Sequence, residues 1–221
     1  WLDEVRAGID GYFAIEQPQW IAPAALEQRV TTTTLGGVRL LGFIDRVDRA
    51  PDGRLKTECA PIEAIDERIK RLARRMLDDM YAADGCGLAA PQLGELVQMV
   101  VIDVDYSGPS GKNPYVLINP KIVVADGEER ETGEGCLSFP GITVPVRRPS
   151  HVVVQALNLD GDLMQYEARD NLMAVCLQHE IDHIHGVTMV DHLSAGQRIA
   201  AMRAYQEATA AGARPGDVSV D

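Results

Sequence analysis

The residues best suited to chemistry are His179-Glu180-Ile181-Asp182-His183. On a helix, side chains four apart stand one above the other. Both imidazoles then reach a single divalent ion, and Glu180 can contact a water bound there. The HExxH pattern also arises by chance, as two surface histidines on a polar helix face. Here the preceding run Leu172-Met173-Ala174-Val175-Cys176-Leu177 is nearly all apolar, which predicts a buried segment, and buried imidazoles need partners.

Two histidines leave a tetrahedral site one protein ligand short if water holds the fourth position. Downstream stand Asp191, His192 and Glu207, none in a pattern such as HExxHxxGxxH, and His185 follows His183 too closely to share its face. Upstream, Cys136 lies in Gly133-Glu134-Gly135-Cys136-Leu137-Ser138-Phe139-Pro140. Its small neighbours would let a thiolate approach a metal, with the Leu137 N–H beside it. The other reading of Cys136 is a small buried hydrophobe, and that reading is preferred for Cys59 and Cys176. A third segment, Gly85-Cys86-Gly87-Leu88-Ala89-Ala90-Pro91-Gln92, leaves room for a substrate backbone, and Gln92 adds an amide donor. Small-residue loops also simply turn a helix into a strand.

These residues must be positioned by the elements around them. Apolar residues from Ile62 to Met80 recur at three and four, predicting an amphipathic helix over Pro61–Ala83 that stops at Asp84-Gly85. Strand-like runs follow at Val97–Val104, Tyr115–Asn119, Ile122–Ala125, Ile142–Val146, His151–Asn158 and Met164–Arg169. A helix over Leu172–His185 is capped by Asp170 or Asn171 and stopped by Gly186. A last helix over Ala195–Ala210 is capped by Ser194. Ahead of all these, residues 1–57 read as a short helical stretch, then strands Val30–Thr34 and Val38–Ile44 about a turn at Gly36-Gly37. Helices at both ends of a strand-rich middle make the fold class α+β.

The chain has 221 residues, 46% hydrophobic and 24% charged, enough for a domain with a sizeable core and unlike a disordered chain. Lys plus Arg total 21 against 33 Asp plus Glu, a net charge of −12 that repels a phosphate backbone. Specific DNA binding is not expected. Four scattered cysteines are too few for a disulfide framework and fit a reducing, cytoplasmic setting. The sequence predicts neither a membrane span nor a signal peptide, and a start at Trp1 fits a fragment or a processed chain.

Together, GxGLAAPQ at 85–92, EGCLS at 134–138 and QHExDH at 178–183 resemble the three signature motifs of peptide deformylase, with similarity over about residues 51–211. The resemblance implies an α+β fold, antiparallel sheets around a central HExxH helix. It also implies removal of the formyl group from the N-terminal formyl-methionine of nascent bacterial or organellar polypeptides, with the ribosome as the place of encounter. It assigns Cys136, His179 and His183 as ligands of iron (Fe2+), for which Ni2+, Co2+ or Zn2+ substitute. Glu180 becomes the general base, with Gln92 and the Leu137 N–H as oxyanion donors. The methionine pocket is formed by Cys86, Glu134 through its stem, Leu172 and Val175, and the Gly87 backbone pairs with the peptide. Arg148 matches a family arginine near the site, or is a solvated charge. Asp182 orients a ligand or caps a buried ion pair.

Residues 1–50 do not resemble the start of that family. Val38–Asp48 resembles the front of a RecB-like PD-(D/E)xK nuclease domain, with Asp45 as a metal ligand, but no lysine follows an acid by two residues in Arg54-Leu55-Lys56-Thr57-Glu58-Cys59. The expectation is a truncated, non-catalytic piece over 1–50 joined to a catalytic domain over 51–221. Two other functions compete. A zincin-like metallopeptidase using HExxH needs a third ligand downstream of His183, and a nucleic-acid-processing protein would act through residues 1–50.

Overall fold

The computed structural model describes residues 54–106 and 111–217, and before them the backbone of four short strands. The chain divides into two units, Trp1–Arg54 and Leu55–Asp221. In the first, β1 (Pro23–Ala25) pairs antiparallel with β4 (Val47–Asp48), and β2 (Gln28–Thr33) with β3 (Arg39–Ile44). The second pair is the expected hairpin. The expected helical stretch, Gly36-Gly37 and Asp45 lie outside the described residues.

The second unit opens with α1 (Glu67–Ala82), which buries Ile69, Leu72, Ala73, Met76 and Met80. It starts six residues later than the apolar spacing predicts. Asp66 caps it by accepting the Ile69 N–H at 2.9 Å. The backbone of Ile62 is committed elsewhere, its N–H and C=O both bonded to the Asn119 side-chain amide at 2.8 and 2.9 Å. Ile62 still joins the apolar cluster of α1 from an extended chain, so its spacing imitates a helical one.

Five strands follow in chain order as one antiparallel sheet: β5 (Gly87–Ala89), β6 (Met99–Ile102), β7 (Tyr115–Glu134), β8 (Val144–Leu157) and β9 (Leu163–Arg169). Successive residues of β6 face opposite ways. Met99 and Val101 pack with α1, while Val100 and Ile102 pack with α2 (Leu172–Ile184). Cover on both faces explains the unbroken apolar run. The predicted pairs Tyr115–Asn119 with Ile122–Ala125, and Ile142–Val146 with His151–Asn158, are each a single strand. Asn119 (φ 52°) and Gly127 (φ 86°) sit at shifts of register that bend β7 without ending it. Bulges and breaks use the same residue types.

The helix α2 begins at Asn171, whose Oδ1 accepts the Ala174 N–H at 3.0 Å, and ends one residue before the predicted His185. Gly186, at φ 71°, lets the end of a 3-10 turn (Arg54–Lys56) pass close by. There the Cys59 N–H bonds the Ile184 carbonyl at 2.8 Å, and Lys56 pairs with Asp191. A 3-10 turn (Met189–His192) leads to α3 (Ala195–Ala210), capped by Ser194 as expected. Tyr205 of α3 is buried edge-on against Phe139 at 5.4 Å between ring centroids. Among the described residues no helix is long and apolar enough to cross a membrane.

Two glycines separate backbone strain from crowding. A Cβ on Gly186 would lie 2.7 Å from the carbonyl carbon of Lys56, whereas one on Gly212 (φ 92°) meets nothing within 4 Å. Left-handed backbone costs a non-glycine residue about 1–2 kcal/mol. Gly212→Ala is therefore expected to lower the melting temperature by roughly 2–8 °C, and Gly186→Ala by distinctly more. Equal shifts in the two variants, measured by calorimetry, would contradict the close approach.

Candidate active site

The three motifs converge on one cavity of about 240 Å³ in the second unit, and ten of the eleven expected site residues line it. The exception is His183, fully buried behind the wall. His179 and His183 stand one turn apart on α2 with ring centroids 4.9 Å apart. Cys136 comes from the loop joining β7 to β8, its Sγ 3.3 Å from His183 Nε2. The donor atoms of Cys136, His179 and His183 all lie within 4.8 Å of one another, and no other such cluster occurs among the described residues. A thiolate and two imidazoles form a donor set suited to a divalent transition metal with one position left open. The acceptor and donor groups that sequence left as other third-ligand choices are engaged elsewhere. Asp191 holds Lys56 and Thr188, His192 holds Asp182, and Glu207 holds Arg203.

The segment Gly85–Gln92 is more than a turn: it forms β5 and a 3-10 turn over Ala90–Leu93. That turn folds Gln92 back so that its Oε1 accepts the Ala89 N–H at 2.7 Å. The fixed carbonyl leaves the amide Nε2 to donate to Ser138 Oγ at 3.1 Å, 3.8 Å from Cys136 Sγ. Leu137, Leu172 and Val175 line the same cavity, as does Gly87.

Glu134 has a role that sequence missed. Its carboxylate accepts the His179 Nδ1–H at 2.9 Å and a fork from Arg148 at 2.6 and 3.0 Å. This fixes the ring of His179 so that Nε2 is the nitrogen available to an ion. Arg148 is buried, not solvated, and also reaches Asp182 at 2.8 Å. Asp182 therefore caps the ion pair, and the orienting of His179 falls to Glu134. The available signal was a lone acid in a glycine-rich segment two residues before Cys136, which once buried must find a cation. Cys176 is buried as expected, yet its sulfur also lines the cavity, 4.0 Å from Cys86 Sγ. Also unforeseen, Asp84, Gly216 and Asp217 form part of the rim.

The charges match this layout. Burial pushes the Cys136 thiol up, but the His183 and His179 imidazoles outweigh it and hold the thiol well below its usual range. Burial would pull His179 down, yet bonds to Cys136 and Glu134 hold it well above. Burial also opposes the charge of Glu134, which His179 and Arg148 keep below the usual carboxylate range. In Glu180 burial prevails and raises the carboxyl to about 7. Its Oε2, like His183 Nδ1, is buried without a partner among the described residues. Cys86 is lowered to about 7 by its hydrogen bond with Cys176, and Cys176 is raised in return.

A thiolate, two imidazoles and a buried carboxyl converging on one apolar-walled cavity define a metal-dependent hydrolase. The polypeptide deformylase family matches residues 44–198, beginning ahead of the junction expected near residue 51. A peptide deformylase of Acinetobacter baumannii is 45% identical over 67% of this chain and 82% of its own length. One from Dictyoglomus thermophilum is 43% identical over 67% and 92%. A crystal structure of a peptide deformylase from Legionella pneumophila superposes with a TM-score of 0.67 at 41% identity, covering 73% of this chain and 92% of that one. A second, from Synechococcus elongatus in complex with actinonin, gives 0.66 at 38%, covering 72% and 84%. The chain belongs to the peptide deformylase family. It is a hydrolase that removes the formyl group from the N-terminal formyl-methionine of nascent polypeptides.

The tightness of the wall can be tested at Gly87. A Cβ there would lie 2.7 Å from Cys176 Sγ and closer still to Glu180 Oε1. Gly87→Ala must displace the carboxyl, and misplacement of a reacting group by about 1 Å costs on the order of 100-fold in rate. The expected outcome is a loss of that size in formyl release with an unchanged circular dichroism spectrum. Full activity would show that Glu180 is free to move.

Proposed function

We propose that Cys136, His179 and His183 hold the metal, iron as Fe2+, with Ni2+, Co2+ or Zn2+ able to replace it. When bound, such an ion supplies Lewis acidity toward a water and the formyl oxygen. The chain's own residues do the rest. Glu180, buried and poised near neutrality, takes the proton of the attacking water and returns it to the departing amine. The Gln92 amide and the Leu137 N–H donate to the formyl oxygen as it gains negative charge. Glu134 holds His179 in the tautomer that an ion needs, and its stem lines the methionine pocket with Cys86, Leu172 and Val175. The Gly87 backbone pairs with the extended peptide. The observation that carries this reading is the convergence of three donors on the cavity wall that also bears Glu180.

On this reading α2 is the central element of the fold. The catalytic domain runs over residues 51–221, and residues 1–50 take no part in the reaction. Every proposed site residue falls between Cys86 and His183. The setting is the bacterial cytoplasm, where Cys136 stays reduced, with formyl-methionyl chains met at the ribosome. The net charge of −12 disfavours DNA as a partner.

Formyl release from formyl-Met-Ala-Ser by anaerobically prepared, iron-loaded protein tests the roles. Glu180→Ala is expected to keep its metal and lose roughly 10²–10⁴-fold in turnover; retained turnover would remove Glu180 from the mechanism. Gln92→Ala is expected to cost about 2.7–4 kcal/mol in barrier, read from kcat/KM. Cys136→Ala is expected to lose the ion, measured by metal analysis. A variant that kept it would favour the zincin-like reading.

A further inference from the structure

We infer that Cys86 and Cys176 form a peroxide-sensitive dithiol that closes to a disulfide in the wall of the active-site cavity and shuts the enzyme off. The two sulfurs are 4.0 Å apart, and the Cys176 thiol also reaches the Cys86 carbonyl at 3.6 Å. Both are free cysteines, and both line the cavity. A disulfide needs the sulfurs about 2 Å closer. The backbone of Cys86 lies outside regular structure, although its carbonyl is held by the Asp103 N–H at 2.9 Å. That of Cys176 is fixed in α2.

Access differs between the two. Cys86 is half-buried and open to the cavity, and its hydrogen bond with Cys176 favours its thiolate. Cys176 is buried behind it. Cys86 is thus placed to react first with peroxide and Cys176 to resolve the product. The Cys86 sulfur attacks one oxygen of hydrogen peroxide. An S–O bond forms, the O–O bond breaks, and the departing oxygen leaves as water. The Cys176 sulfur then displaces the sulfenic oxygen as a second water, forming the S–S bond. Two thiols and one peroxide yield one disulfide and two waters.

The bond would fall where the reaction has least room. Cys176 Sγ already lies against Gly87, within 2.7 Å of where a Cβ would stand, and Glu180 Oε1 presses on the same point. Drawing Cys86 toward α2 displaces Gly87 and narrows the methionine pocket. The effect on turnover rests on the pocket roles proposed above; the sulfur chemistry does not.

The test uses the full-length protein loaded with Ni2+, freed of reductant and exposed to hydrogen peroxide. The expected result is a mass lower by two hydrogens, a crosslinked peptide containing Cys86 and Cys176, and formyl release reduced roughly tenfold or more, restored by dithiothreitol. Cys86→Val and Cys176→Ser should each abolish the two-hydrogen loss and the crosslink, Cys176→Ser gaining oxygen at Cys86 instead, and each is compared with its own untreated activity. The inference is overturned if both thiols remain fully alkylatable after peroxide. It is also overturned if oxygen is added at Cys136 with loss of the ion, or if the crosslink forms with turnover unchanged. A reduced enzyme without deformylase activity would count against the pocket roles, while the mass measurement would still decide the disulfide.

Discussion

The site depends on one buried carboxylate. Glu134 stands between a histidine ring and a guanidinium, and all three groups are withdrawn from water. Removing one partner from such a buried pair costs about 3–5 kcal/mol, because a charge is left without compensation. The arrangement is tolerated because Glu134 and Arg148 each answer two others. Arg148 spans Glu134 and Asp182, and Asp182 takes His192 at its other side. A chain of charge-assisted bonds thus runs from a half-exposed histidine to the ring of His179. The orientation of that ring is set by electrostatics spread over β7, β8 and α2, and not by the helix alone.

The hairpin of β7 and β8 is what makes this possible. Its strands pair from Ile118 opposite Leu157 to Glu134 opposite Val144. Glu134 and Arg148 then fall on the same face of the two strands, and Cys136 is delivered just beyond the last pair. Bulges along β7 give the ribbon its bend. A straight hairpin of that length would carry its tip away from α2.

What could be read in the sequence was chemistry confined to one element. The histidines four apart, the Asn171 and Ser194 caps and the limits of α3 are each set by residues within a few positions. The roles of Glu134 and Arg148 are hidden in the sequence because their burial follows from strand register, which brings to one face two side chains 14 apart in sequence. The onset of α1 departs from the apolar spacing because Ile62 keeps a helical spacing while its backbone is bound to Asn119, 57 positions away. The strands were cut short because Asn119 and Gly127 have the composition of turns. Cys176 was legible as buried but not as a cavity-facing thiol, since a helix position alone does not say which neighbour lies opposite.

The order of the sheet has a consequence for how the protein comes into being. Its five strands are neighbours in sequence as well as in space, so the meander can be laid down strand by strand. The active site has no such economy. It draws on Gln92 from the first strand connection, Cys136 from the third and the two histidines from a helix after the fifth strand. Until α2 has been synthesised and docked, two of the three proposed metal ligands are not in place. If they bind an ion as proposed, metal capture is a late event in biogenesis, coupled to the last steps of folding.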